Sequence, residues 1–203
     1  MKLYLSIILI FLVVLISGNI FYVQSIGVSV ETMLLWLFIA ILICGVSSTL
    51  ITITTRIVPE KWFNPFRRIY KISPREKNVY LKLKIKKWKD VIPELGKLGG
   101  FAKNKCKEPN NPQYIFKFLT ETCIAETLHL LSAISGILVL IILPKQFFFT
   151  MSLPIFLLNA LLHIMPMLVQ RYIRPKLLKI YNRLEKLQKE DQIDEDSELI
   201  NYI

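Results

Sequence analysis

The sequence predicts an all-α, polytopic membrane protein: four transmembrane helices in two hairpins, with a basic amphipathic cytoplasmic segment between the hairpins. Three observations carry this. Of 203 residues, 53% are hydrophobic and the mean hydropathy is +0.46, more apolar surface than a soluble domain of this length normally carries. The apolar residues fall into four runs long enough to cross a bilayer at about 1.5 Å per residue. Of the 26 basic residues, seventeen lie between Arg56 and Lys117, and the apolar runs hold almost none. A net charge of +11 arranged in this way sets topology and makes no case for a nucleic-acid partner.

The first run, Leu3 to Val23, follows a lone Lys2 and reads as a span. A signal peptide is the alternative, with Ser17, Gly18 and Asn19 as its small-residue region, but an A-x-A-like site is missing and a second span follows at once. That span covers about Met33 to Ile57. The connection from Gln24 to Thr32 has no Lys or Arg, which puts the tip outside the cell membrane and both termini in the cytoplasm. Residues 1–57 therefore form an N-terminal transmembrane hairpin.

Residues 58–112 form a basic cytoplasmic and interfacial unit. Trp62, Phe63, Phe66 and Tyr70 beside Lys61, Arg67, Arg68 and Lys71 suit rings in the headgroup zone with cationic tips on anionic membrane lipid. Leu81, Leu83 and Ile85 alternate with Lys82, Lys84 and Lys86, which leaves a short strand and an amphipathic helix both open. Pro93, Gly96, Gly99 and Gly100 mark a turn or loop. By composition alone, the whole unit is a solvated loop that sets topology.

Residues 113–170 form the second hairpin and carry the polar site. Its spans, about Gln113 to Leu143 and Phe147 to Val169, flank an external Pro144-Lys145-Gln146 turn. Pro154 and Pro166 are tolerable where neighbouring helices satisfy the freed backbone groups. Residues 171–203 make a cytoplasmic amphipathic helix and an acidic, solvated end. Cys44, Cys106 and Cys123 have no paired spacing, so neither a disulfide framework nor a zinc site is expected.

The chemistry concentrates in Glu121-Thr-Cys-Ile-Ala-Glu-Thr-Leu-His-Leu-Leu131. On a helix, Thr122, Glu126 and His129 share a stripe that Ser132 and Gly136 continue into the apolar length. Ionisable groups inside a membrane segment are costly enough to point to function. Antiparallel helices joined by a short turn are neighbours, so Glu126 and His129 are expected to face His163, Gln170 and Arg171. Glu126 orienting His129 would make a general base for a hydroxyl at the membrane surface, with Arg171 as a clamp for an anionic group. The alternative is an interhelical network that only fixes packing. Glu126-x-x-His129 also has the spacing of half a di-iron carboxylate site, but no second copy exists, so no metal is expected. No G-x-S-x-G elbow, Walker loop or dinucleotide fingerprint is present.

Ile85–Lys103 (IKKWKDVIPELGKLGGFAK), Glu121–His129 (ETCIAETLH) and Val169–Leu177 (VQRYIRPKL) resemble, in order and approximate spacing, the glycosyl-4,4'-diaponeurosporenoate acyltransferase family of staphyloxanthin-type carotenoid biosynthesis. The resemblance covers roughly Pro59 to Leu177. It implies transfer of a fatty acyl group to a sugar hydroxyl of a glycosylated carotenoid or related glycolipid. The donor would be a co-substrate thioester, acyl-CoA or acyl carrier protein, with no resident cofactor. Trp88, Lys89, Pro93, Gly96, Glu121, Thr122, Ala125, Glu126, His129, Gln170, Arg171, Tyr172 and Arg174 match the family pattern. Glu126, His129 and Arg171 are then the expected catalytic set, and Trp88, Lys89, Glu121, Gln170, Tyr172 and Arg174 the expected substrate contacts. Two departures stand out: Ile173 where the family usually reads QRYNR, and His163 where it has Asn. A non-catalytic lipid- or pigment-binding scaffold is the alternative function.

Overall fold

Four helices long and apolar enough to cross a membrane dominate the computed structural model, which describes residues 2–92 and 106–201. Helix α1 spans Lys2–Ser25 and α2 spans Val30–Ile57, joined by a tight tip at Gly27, whose positive φ of 70° favours glycine. Ser29 caps α2 by accepting from the Thr32 amide at 3.2 Å. The second hairpin begins with α5, Pro112–Ser135, capped by Asn111, and continues through α6, Ile137–Ile142. A 3₁₀ turn at Lys145–Phe147 and a π turn at Phe148–Ser152 lead into α7, Leu153–Asn201. Among the described residues there is no strand.

The two hairpin tips meet at one end of the bundle. Asn19 Nδ2 donates to the Thr150 carbonyl at 2.7 Å, and the Tyr22 hydroxyl donates to the Gln146 carbonyl at 2.9 Å. Near them Leu15, Val23, Met33, Leu37, Val139, Phe147 and Met151 make the largest apolar cluster. The outward faces of α1 and α2 remain apolar and exposed, as a lipid-facing surface requires.

Helix α7 has no break at residue 170. It passes Pro166 and Pro175 and continues to Asn201, so the expected division between a span and a separate tail helix is a point along one rod. The acidic stretch expected as a solvated end lies on that helix.

The basic unit folds back on the bundle. Two 3₁₀ turns, Glu60–Phe63 and Arg68–Tyr70, precede α3 at Pro74–Lys82 and the single turn α4 at Ile85–Trp88. The alternating Leu81–Ile85 stretch is therefore helical, with a break at Lys84 in the left-handed region, φ 51°. The aromatic residues divide in two. Trp62 and Phe66 are exposed, whereas Phe63 and Tyr70 are buried against Cys123 and Ile124 of α5. They are core residues, which corrects the expectation that all four rings sit among headgroups. Pro93, Gly96, Gly99 and Gly100, and with them most of Ile85–Lys103, lie outside the described residues.

Candidate functional site between α5 and α7

Helices α5 and α7 run antiparallel, and the predicted stripe on α5 is the seam between them. As α5 goes from Thr122 to Gly136, α7 goes back from Arg174 to Asn159. Thr122 meets Arg174, Glu126 meets Arg171, His129 meets His163 and Ser132 meets Asn159. Gly136 makes the close end possible: a Cβ there would lie 2.5 Å from Asn159 Nδ2.

The layer at Glu126 is ionic and closed. Glu126, 7% exposed, accepts from Arg171 Nη1 through Oε1, while its Oε2 lies 2.6 Å from Arg174 Nη2. The second contact is an ion pair by distance; its angle falls outside that of a hydrogen bond. Arg171 also donates to Glu76 of α3, from Nε at 2.5 Å and from Nη2 at 3.0 Å, and to the Ile69 carbonyl at 3.3 Å. Tyr80 closes this side, donating to Glu76 and accepting from Arg171 Nε at 3.2 Å.

Arg174 is 0% exposed. Its Nε donates to Thr122 Oγ1 at 2.9 Å, its Nη2 to the Thr122 carbonyl at 3.0 Å, and its Nη1 to the Tyr70 carbonyl at 3.0 Å. The guanidinium carbon lies 5.3 Å from the Tyr70 ring centroid. Thr127 donates to the Cys123 carbonyl, which leaves the Tyr70 hydroxyl as donor in its 2.9 Å contact with Thr127. Burial pushes the Tyr70 phenol up, which keeps that donor protonated.

One turn along the seam, at about 1.5 Å rise per residue, the layer at His129 is built from imidazoles and hydroxyls. His129 Nδ1 and His163 Nδ1 are 3.2 Å apart, and His163 Nε2 lies 3.4 Å from Ser48 Oγ on α2. Below them Ser47 and Ser135 hydroxyls meet at 3.1 Å. The chain of contacts ends at His129 Nε2, which has no hydrogen-bond partner among the described residues.

These contacts redistribute the expected site residues. Glu126 and His129 are not partners: the carboxylate turns to two arginines and the imidazole to His163. The ion pairs draw Glu126 across the seam, where a histidine on its own helix offers less attraction. Arg171 is the predicted partner of Glu126, but its donors are spent on protein, so it is not a free anion clamp. Arg174, expected to contact substrate, is wholly enclosed.

Glu121 instead takes Arg56 Nη1 of α2, at 2.9 Å to each oxygen. Gln170 is half-buried and has no side-chain hydrogen bond among the described residues. Trp88 donates to the Leu83 carbonyl at 2.9 Å and packs with Tyr172 around Val169; Lys89 Nζ is 2.6 Å from Asp90. Tyr172 lines a groove of about 250 Å³ with Lys77, Tyr80, Leu81, Pro175 and Lys176. Lys176 Nζ lies 5.1 Å from the Tyr172 ring centroid.

Sequence reasoning missed Glu76, Tyr70, Tyr80 and Ser48. Nothing in a single sequence brings α3 or α2 to this seam. The Arg171-x-x-Arg174 spacing did carry a signal, since residues three apart share a helical face, and both arginines reach Glu126.

Neither the curated proteins nor the solved structures give a significant match. A sequence profile described as glycosyl-4,4'-diaponeurosporenoate acyltransferase matches residues 59–183, which begin just after α2 and include the basic unit, α5 and the part of α7 that carries both histidine and arginine contacts. The match covers more than half of the chain, and this membrane protein belongs to the glycosyl-4,4'-diaponeurosporenoate acyltransferase family.

Proposed function

We propose that the protein transfers a fatty acyl group from a thioester onto a sugar hydroxyl of a glycosylated carotenoid or related glycolipid, with His129 as general base. The observation that carries this is the His129–His163 pair, which leaves Nε2 of His129 unpartnered at membrane depth beside a closed ionic layer. The acceptor oxygen attacks the thioester carbonyl while Nε2 takes its proton. The carbon–sulfur bond then breaks, and the proton passes to the leaving thiolate. Glu126, Arg171 and Arg174 serve this chemistry by holding α5 and α7 in register.

The groove at Tyr172 suits the donor. Lys77 and Lys176 at its rim complement the phosphates of an acyl-CoA or the phosphopantetheine of a carrier protein, and its apolar lining suits the acyl chain. The lack of Lys and Arg in the Gln24–Thr32 connection supports a topology with the groove, the basic unit and both termini on the cytoplasmic side of the cell membrane.

Lipid and pigment mass spectrometry on cells with the gene, without it, and with His129→Gln tests the reading. Accumulation of one lipid lighter by an acyl chain in both altered strains is the expected result and identifies the acceptor. An unchanged lipid profile overturns it and favours a scaffold.

A further inference from the structure

We infer that the cytoplasmic length of α7 is a docking surface for an acyl carrier protein, a small acidic protein that presents its acyl chain as a thioester on a phosphopantetheine arm. The inference rests on the acyl-transfer reading and chooses between the two thioester donors that this reading allows.

From Tyr172 onward the two faces of α7 have different tasks. Ile173, Leu177, Tyr181 and Leu184 pack into the apolar cluster shared with α5. The opposite face carries Lys176, Lys179, Arg183 and Lys186, in steps of three, four and three residues that keep them on one helical stripe. All four are exposed. Lys176 rests on the Tyr172 ring, and Lys186 alone of the four is ion-paired among the described residues, at 3.4 Å from the exposed Glu190. Lys179 and Arg183 are thus charges that the described fold does not use.

The stripe starts at the groove, since Tyr172 and Lys176 belong to both and Lys77 of α3 stands at the same groove. Its length is too great for a small anion alone. Lys176 to Lys186 covers ten residues, about 15 Å of helix, whereas the phosphates of a small donor need only the two lysines of the groove. Its direction takes it away from lipid. The last apolar run of α7 ends near Val169, so Lys179 lies about 15 Å and Lys186 about 25 Å farther along the helix, against a headgroup zone only about 5–8 Å deep on each side. These cations therefore stand in water, where a soluble acidic surface reaches them and lipid phosphates do not. After Lys189 the sequence turns acidic, from Glu190 to Glu198, which sets the far limit of a surface for an acidic partner.

The separation of groove and base suits the same occupant. From Tyr172 back to His163 is nine residues, about 13 Å along α7, so a thioester on a long arm can travel inward while its carrier stays on the stripe. Complementary charge also speeds the encounter and fixes its orientation.

The test uses full-length protein in phosphatidylcholine nanodiscs, with palmitoyl-acyl carrier protein or palmitoyl-CoA as donor and a glucosylated carotenoid acid as acceptor. Binding of fluorescent holo-acyl carrier protein is read separately from turnover. Wild type is expected to bind the carrier protein, more weakly as salt is added. Lys179→Glu combined with Arg183→Glu should weaken that binding and raise KM for palmitoyl-acyl carrier protein at least about tenfold with kcat kept, while KM for palmitoyl-CoA moves less than about twofold. The neutral pair, Lys179→Gln with Arg183→Gln, should shift both readouts the same way by less, and it carries the test if the reversed pair does not fold.

Carrier-protein binding that is absent in wild type, or unaltered by both pairs, overturns the inference. So does an equal effect on the two donors, or an effect that appears only when phosphatidylglycerol is added to the nanodiscs, which would give the stripe to lipid. Binding that depends on the stripe, with no acyl transfer from either donor, upholds the docking surface and overturns the acyl-transfer reading instead.

Discussion

The two polar layers between α5 and α7 differ in what they leave over. At Glu126, the donors of Arg171 and Arg174 are consumed by two carboxylates, two hydroxyl groups and the carbonyls of Ile69, Tyr70 and Thr122. At His129, the contacts form a single line through His163 to Ser48, and one ring nitrogen has no hydrogen-bond partner among the described residues. A charge-paired cluster holds helices together, because any lost member strands a buried charge. An imidazole with a spare lone pair is able to take a proton. On the proposed function, residues one turn apart on one helical face divide structure from chemistry.

The largest effect that would sharpen this contrast is on stability. Arg174→Met should cost about 3–5 kcal/mol by leaving Glu126 short of a buried partner, and thermal melting in detergent should show it as a collapsed midpoint or as loss of protein from the membrane. A melt like that of wild type would mean the ionic layer is not what holds the seam. His129→Gln should do the opposite: acyl transfer down by about 10² or more, with the melting midpoint kept. If this variant melts early and its remaining folded fraction turns over normally, the division between the layers is wrong.

Gly136→Ala should have a smaller effect, about 1–2 kcal/mol. The new methyl meets the Asn159 amide, which must leave the Ser132 carbonyl to make room. Denaturant melts of this variant against Asn159→Ala would tell whether the cost is that one hydrogen bond, in which case the double variant loses little more than either single one. Smallest is Arg56→Gln. Arg56 is 55% exposed, so its pair with Glu121 should contribute less than about 1 kcal/mol and fade with salt. A large, salt-independent loss would place the N-terminal hairpin among the main supports of the seam.

Much of this organisation was legible in the sequence. The four spans, their pairing into hairpins and the stripe Thr122, Glu126, His129, Ser132 and Gly136 follow from apolar length and helical period. The stripe's face toward α7 followed too, because a short turn makes its two helices neighbours. The burial of Phe63 and Tyr70 was not legible, since an aromatic beside lysines suits an interface as well as a core until the chain is seen to fold back. The exposed groove at Tyr172 likewise needs α3 and α7 side by side.

What the sequence determined by itself, then, is which residues share a helix face and which helices must cross the bilayer, because both depend on local spacing and on the cost of leaving backbone unpaired in hydrocarbon. Which groups on a shared face act together was decided only by tertiary structure. Glu126 and His129 sit three residues apart, yet a carboxylate turns to the strongest donors within reach. Those came from Arg171 and Arg174 on another helix, steadied by Glu76 and Tyr70 from a unit that spacing could not place.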